Sequence, residues 1–428
     1  MGNKQSKDLS PDVDVRTRQS LFSLGRSSQD LSRLDLRGGY EAHEVYIPDS
    51  NDNTATKEIV HWTHSIDFIL ATFGFAVGFG NFWRFPYKMY KHGGGAFLIP
   101  YLIILLCFGL PMFYMEMILG QYISYGPIKI FGEMAPISKG VGYSMVALTT
   151  CFSIYYNVIN VWCIHYFISS FGSELPWTSD EDSAEKYFKN EVLHLNPEEG
   201  ITWWNFGPLH WKLTLFSFIC WAIIAAYTVR GIQFGRNMIR FTAVYPLCLL
   251  VILCAVSLSK EGGTDGVLEF FNIPDLEDLF KPLVWKEACI QVIFSLGLGM
   301  GILPNLARYN NFNNNCLTDA ILVILGDTII SILASVVGFS FLGIAAKKNG
   351  EELDPELIKE GPTVTFAVLM EGLTQVSDKA WIVHLVIALF SISLLTVGMN
   401  SMFANVDVII SALLDQFSWL KRLKSKYV

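Results

Sequence analysis

Two short stretches combine residue types that could bind small ions and solutes. The first is AVGFGNFWRFPY, Ala76 to Tyr87, where glycines, an asparagine, an arginine and a proline interrupt apolar sequence. The second is FSLGLGMGILPN, Phe294 to Asn305, which ends in Pro-Asn. In lipid each unpaired backbone group costs several kcal/mol, so a helix breaks at membrane depth only beside a cavity or inside protein. Unwound backbone there offers carbonyl oxygens to a hard cation and amide groups to an anion. The chemistry expected is reversible binding of sodium and a carboxylate-bearing solute. Glycines serving close helix packing would explain small residues at four-residue spacing. They explain poorly the added Asn, Arg and Pro.

These breaks sit in a chain built to span a bilayer. It has 428 residues, 52% of them hydrophobic, and a mean hydropathy of +0.38. Charged residues are 16%, against roughly 25% in soluble domains. Eight apolar segments reach the ~20 residues a span requires. They run over 64–90, 96–122, 141–171, 211–229, 239–258, 286–307, 316–346 and 380–417. The breaks fall in the first and sixth, five spans apart. Matching breaks in two halves point to an inverted-repeat transporter with a midplane site.

Three regions are expected. Residues 1–60 form a disordered tail, 61–417 the membrane domain and 418–428 a basic stub. The tail, the loop 230–240 and the stub concentrate Lys and Arg, which places them together in the cytoplasm. Extracellular loops are then 172–210, 259–285 and 347–379. The opening MGNKQS fits N-myristoylation at Gly2, although a six-residue match also arises by accident. The eight cysteines lie in or beside apolar stretches, so no disulfide framework is indicated. The sequence holds neither H-E-x-x-H nor a phosphate-binding G-x-x-x-x-G-K-[ST] loop, and neither an enzyme nor a nucleic-acid binder is indicated.

The motifs GNFWRFPYKMYKHGGGAFLIPY, GLPMFYMEMILGQY, YYNVINVWCIHYFISSF, LPW and YNNFNNNC occur in order. Together they resemble the neurotransmitter:sodium symporter family, from about Trp62 to Asp415. The resemblance implies an all-α fold of twelve helices with inverted repeats and discontinuous helices 1 and 6. This chain stops after the eighth, so it reads as a family member lacking the last four.

The resemblance also implies a set of site residues. One sodium site would use Ala76, Asn81, Ser295 and Asp327. A second would use Gly74, Val77, Val397, Asn400 and Ser401. The family usually has Asp or Thr where Asn400 stands, so this second site lacks the carboxylate's charge. Ala76, Gly78, Gly80, Phe152, Tyr156, Phe294, Ser295, Gly297, Met300, Ser401 and Asn405 would hold the solute. Monoamine members carry aspartate at the position of Gly78, so glycine implies an amino acid or related zwitterion. Asn405, one turn beyond Ser401, would offer the pocket an amide and favour a polar side chain.

Chloride in animal members corresponds to Tyr101, Gln291, Ser295, Asp327 and Ser331, with Asp327 replacing an asparagine. An intramembrane carboxylate is a functional hypothesis by default. It would repel chloride and supply the negative charge itself, which implies weak or absent chloride dependence. A protonated Asp327 behaving as asparagine is the alternative. Arg84 matches the outer gate and Asp415 the inner one. The family's arginine three residues before Trp62 is here Ile59. Arg308 could pair with Asp415 in its place, or be an ordinary basic loop residue.

The leading expectation is a plasma-membrane symporter coupling sodium to a zwitterion, with its N-terminus cytoplasmic. Its partners are sodium, solute and membrane lipid. The alternative is a non-transporting truncated isoform or fragment that associates with and regulates full-length transporters; a homo-oligomer is a further partner. A channel using the same ion site would need a continuous polar stripe, whereas polar residues here cluster at two breaks.

Overall fold

The computed structural model describes Trp62 and residues 65–178, 184–194, 209–271, 279–349, 364–417 and 419–420. The chain divides into Met1–His61 and Trp62–Val428, and all described residues belong to the second unit. The expectations for the tail, for Gly2 and Ile59, and for most of the stub lie outside them. So do the side chains of residues 230–239.

The described elements are helical, without strands. They are α1 Ser65–Ala76, α2 Gly80–Lys91 and α3 Gly94–Ile123, then α4 Pro127–Met134 and α5 Lys139–Ser169. After them come α6 Trp211–Leu258, α7 Gly263–Phe271, α8 Pro282–Leu296 and α9 Ile302–Ala307. The last are α10 Cys316–Asn349 and α11 Ala380–Gln416. Among the described residues six helices are long and apolar enough to cross a membrane. A seventh crossing is the α1–α2 pair, bent by 51°. The remaining expected span, the sixth, is α8 and α9, each too short alone because the glycines between them end the helix.

One boundary differs from expectation. Residues 230–240 are not a loop: α6 stays helical from Trp211 to Leu258. Basic residues and two glycines resemble a loop in sequence. Glycine costs a helix only about 1 kcal/mol, and no proline intervenes before Pro246. The two expected spans are therefore joined by helical backbone. The expected loops also contain helix, including α7 and the short Ala184–Tyr187.

α11 packs chiefly on α5 and α6, while α10 packs on α7 and α6, and α9 on α3. The α9–α3 contact needs Gly120, where a Cβ would stand 2.2 Å from the Pro304 carbonyl oxygen. Large apolar side chains such as Leu106, Ile154, Phe218 and Ile329 point outward and are more than 60% exposed. That surface suits lipid. Buried polar residues instead collect around the two breaks: Asn81, Ser295, Asp327, Ser331 and Ser401 are all at most 5% exposed.

Candidate functional site

Between α1 and α2, Val77 and Gly78 leave the helix. Buried backbone donors need partners, and the chain supplies them from side chains. The Gly78 N–H donates to Asn81 Oδ1 at 2.9 Å. The Phe79 N–H donates to Tyr156 Oη at 3.3 Å. On the acceptor side, Ser401 Oγ donates to the Phe75 carbonyl at 3.3 Å. α2 then opens with a π-helical turn, Gly80–Arg84, a feature frequent at functional sites.

Gly78, Tyr156 and Ser401 converge. A Cβ built at Gly78 would lie 3.1 Å from Tyr156 Oη and 3.4 Å from Ser401 Oγ. Any side chain at 78 would therefore fill the space those hydroxyls face. At Gly80 a Cβ meets nothing within 4 Å, so this glycine borders open space. Phe152 stacks on Tyr156 with ring centroids 4.8 Å apart.

The second break lies between α8 and α9. Gly297, Gly299 and Gly301 have φ of +62°, +77° and +73°. That left-handed backbone is open to glycine and costly for other residues. At Gly297 a side chain would also strike the Phe75 ring, 2.2 Å away. The loosened backbone is tied at two points. Glu116 Oε1 accepts from the Gly299 N–H at 2.8 Å. Thr149 Oγ1 donates to the Met300 carbonyl at 2.6 Å.

The residues expected at the first sodium site are brought together around Asp327, which is fully buried. Its Oδ1 accepts from Asn81 Nδ2 at 2.7 Å and its Oδ2 from Ser295 Oγ at 2.8 Å. Asn81 Nδ2 also reaches Ser331 Oγ at 2.8 Å. The group combines a carboxylate, hydroxyls and an amide from α2, α8 and α10. Asn81 turns its Nδ2 toward this group and its Oδ1 to the Gly78 N–H, so the oxygens that suit a hard monovalent cation are the Asp327 carboxylate and the Ser295 and Ser331 hydroxyls. Tyr101 and Gln291 are fully buried as well, and the Gln291 amide has no hydrogen-bond partner.

The residues expected at the second site are also adjacent, but their donors differ. Gly74, Val77, Val397 and Asn400 line one crevice with Thr242 of α6. Asn400 Oδ1 accepts from Thr242 Oγ1 at 2.6 Å. Its Nδ2 is the atom nearest a Cβ at Gly74, 3.2 Å away. An amide N–H₂ cannot ligate a cation, and no carboxylate is among these residues.

Near the end of α8, beside the second break, the Arg84 guanidinium lies over the Phe294 ring, 4.2 Å from its centroid. Phe294 is 45% exposed. Lys88 pairs with Glu287 at 2.8 Å nearby. At the opposite end Arg308 Nη1 lies 3.5 Å from Asp415 Oδ2. Asp415 Oδ2 also accepts from the Gly126 N–H at 2.8 Å. Asn305 Nδ2 donates to Asp407 Oδ2 at 2.6 Å. The Trp62 N–H and indole donate to the carbonyls of Tyr309 and Leu306 at 3.0 and 3.2 Å. Arg240 pairs with Asp67 of α1 at 2.5 Å. Polar contacts thus join the ends of α9 and α11 to each other and tie the start of α1 to α9 and to the middle of α6.

Sequence reasoning missed Glu116, Thr149, Thr242, Asp67, Arg240 and Asp407. A signal existed for Glu116, the lone carboxylate in an apolar span. Thr242 carries none, because its partner is 158 residues away.

The model of the sodium:neurotransmitter symporter family matches residues 60–183 and 178–428. The chain belongs to that family. The sodium-dependent dopamine transporter of Bos taurus is 34% identical over 428 residues, covering 94% of this chain and 60% of that protein. The chain thus spans about 60% of the length of this curated relative.

Proposed function

We propose that this chain carries the binding core of a symporter that couples sodium to an amino acid or related zwitterion at the plasma membrane. The observation that carries this reading is the convergence of Gly78, Tyr156 and Ser401 on the unwound stretch beside Asn81, Asp327 and Ser295. A solute carboxylate there meets the Tyr156 hydroxyl beside the start of α2. A helix start favours negative charge. The bovine relative is named for dopamine, an amine, but Gly78 leaves no carboxylate at this position to pair with one.

Sodium enters as a co-substrate held by Asp327, Ser295 and the Ala76 carbonyl, with Asn81 joining once its amide oxygen leaves the Gly78 N–H. Asp327 supplies the anionic charge, so chloride is not required. The crevice beside Asn400 binds sodium more weakly, since its donors are neutral and the Asn400 oxygen is engaged by Thr242. Transport follows alternating access, with α1, α2, α8 and α9 moving against the remaining helices. The end carrying Arg308 and Asp415 faces the cytoplasm, as the basic segments require, and this pair forms the inner gate. Arg84 over Phe294 marks the outer gate.

The test is uptake of a labelled amino acid panel by cells expressing the 428-residue chain, in sodium and with choline in its place. Sodium-dependent uptake supports the symporter reading and identifies the solute. Absence of uptake at normal surface expression supports instead a regulatory chain that associates with longer transporters.

A further inference from the structure

Asp67 lies in the first turn of α1, and its side chain is 1% exposed. A charge taken that far out of water is costly unless it is paired. The partner comes from α6. Arg240 Nε and Nη2 both donate to Asp67 Oδ1, at 2.8 and 2.5 Å. The Arg240 side chain is 42% exposed, so one half of the pair is buried and the other meets solvent. Arg240 has a firm base, because α6 stays helical through residues 230–240.

The two helices joined by this pair are anchored in different places. Just beyond Arg240, α6 is bonded to α11. Thr242 Oγ1 donates to Asn400 Oδ1 at 2.6 Å, and Tyr245 Oη donates to the Leu389 carbonyl at 2.7 Å. The start of α1 is bonded toward α9 instead. The Trp62 N–H and indole donate to the carbonyls of Tyr309 and Leu306, and Ser65 Oγ donates to Asn314 Oδ1 at 3.1 Å. Trp62 thus ties one broken span to the other, whereas Asp67–Arg240 crosses from the broken spans to the helices that frame them. About two turns along α1, the Phe75 carbonyl accepts from Ser401 of α11 at the break itself. α1 is therefore held to the frame at both ends, by a neutral bond at the site and a charged one at its start.

We infer that the Asp67–Arg240 pair is a latch, which holds the start of α1 against α6 while the cytoplasmic side is closed and parts when α1 leaves α6 together with α9. The inference rests on the alternating-access reading above. Hydration balances the opening. In the latched form the Asp67 charge is met by a guanidinium. Once α1 moves out, its carboxylate meets water, and Arg240, already partly in solvent, completes its own hydration. The latch therefore parts without stranding a charge. Removing Arg240 alone does strand one, since Asp67 is then buried without its cation, and the form that hydrates it is the open one. The pair sets how the chain divides between closed and open forms without touching sodium or solute.

The test uses membrane vesicles with the cytoplasmic face outward, carrying the 428-residue chain with Thr72→Cys in a background without the exposed Cys107, Cys151 and Cys248. Thr72 is fully buried in α1. Its hydroxyl bonds back to the Phe68 carbonyl of the same helix, so Thr72→Cys removes no hydrogen bond to a neighbouring helix. Reaction of this thiol with a membrane-impermeant reagent reports the departure of α1, and the same background without Thr72→Cys supplies the blank. Arg240→Gln and Asp67→Asn should each raise the rate by about threefold or more, as a shift in population toward the open form. Together they should raise it no further than the larger single effect, because both remove one interaction. Arg240→Lys, which keeps the charge, should restore most of the slower rate. A rate unchanged by Arg240→Gln overturns the inference, as do single effects that multiply in the double variant. Arg240 is partly exposed, so its variants carry the test even where Asp67→Asn does not fold. With the pair intact, replacing choline by sodium should change the rate. Equal rates in sodium and choline overturn the alternating-access reading and this inference with it, whereas a sodium-dependent rate that ignores Arg240→Gln overturns the latch alone.

Discussion

At the scale of single residues, the choice between a carboxylate and an amide decides how the site handles charge. Asp327 is buried between Asn81 and Ser295, and these two donors, from α2 and α8, are turned toward it, the Asn81 amide reaching Ser331 as well. Donors committed to a carboxylate are not available to a halide. Uptake should therefore change less than twofold when gluconate replaces chloride. Asp327→Asn should lose uptake in gluconate and regain part of it in chloride. A collapse of uptake by the unsubstituted chain in gluconate would overturn this charge-replacement account. Asn400 is the converse case, a neutral amide whose oxygen is already bonded to Thr242. Asn400→Asp should lower the half-saturating sodium concentration by about tenfold, equivalent to ~1.4 kcal/mol. An unchanged sodium curve would show that the crevice beside Asn400 takes no part in coupling.

At the scale of elements, the site depends on helices that stop and restart and on contacts that hold them. Both breaks were legible in sequence. Asn, Arg, Pro and clustered glycine have few other reasons to sit in an apolar span. The span positions were legible for the same reason, since residues 96–122, 141–171 and 316–346 are apolar over membrane length. The helical joint at 230–240 was not, because charge and glycine mark solvent exposure as readily as they mark a turn. Nor were the contacts between distant elements, such as Arg240–Asp67, Thr242–Asn400 and Glu116–Gly299. They link residues more than 150 positions apart, and no local pattern encodes such a pairing. Arg308 is the instructive case, because sequence offered two readings. It lies beside Asp415, and its Nη1 reaches Asn305 Oδ1 at 3.4 Å. Breaking a buried pair costs roughly 3 kcal/mol or more, and the solvent-touched Arg308 should fall at or below that figure. Arg308→Gln should therefore favour the form open at this end. A cysteine at Ser401, in a background without the exposed Cys107, Cys151 and Cys248, would then react faster with a reagent applied from the cytoplasm. Arg308→Lys should preserve the slower rate. Equal rates in all three proteins would leave Arg308 an ordinary basic residue.

At the scale of the whole molecule, the two breaks make one site from separate parts of the chain. α2 meets α10 through Asn81 and Asp327, while Ser295 of α8 reaches the same carboxylate. The first break also meets α5 through Tyr156 and α11 through Ser401. A cation at Asp327 and a carboxylate near Gly78 would be held by one continuous piece of backbone, Ala76 to Asn81. Fixing that backbone for one ligand organises it for the other, and their opposite charges attract in a site with little water. Binding linkage is reciprocal: if sodium raises solute affinity by a given factor, solute must raise sodium affinity by the same factor. Coupling of ~1–3 kcal/mol corresponds to 5- to 150-fold. Equilibrium binding to the purified chain should show solute affinity rising at least fivefold from choline to saturating sodium. The half-saturating sodium concentration should fall by the matching factor in saturating solute. Asp327→Ala should remove both effects together, because the cation end of the shared backbone is then lost. Solute binding that is equally tight in choline would break the link between the two breaks, leaving two neighbouring sites without a common free energy.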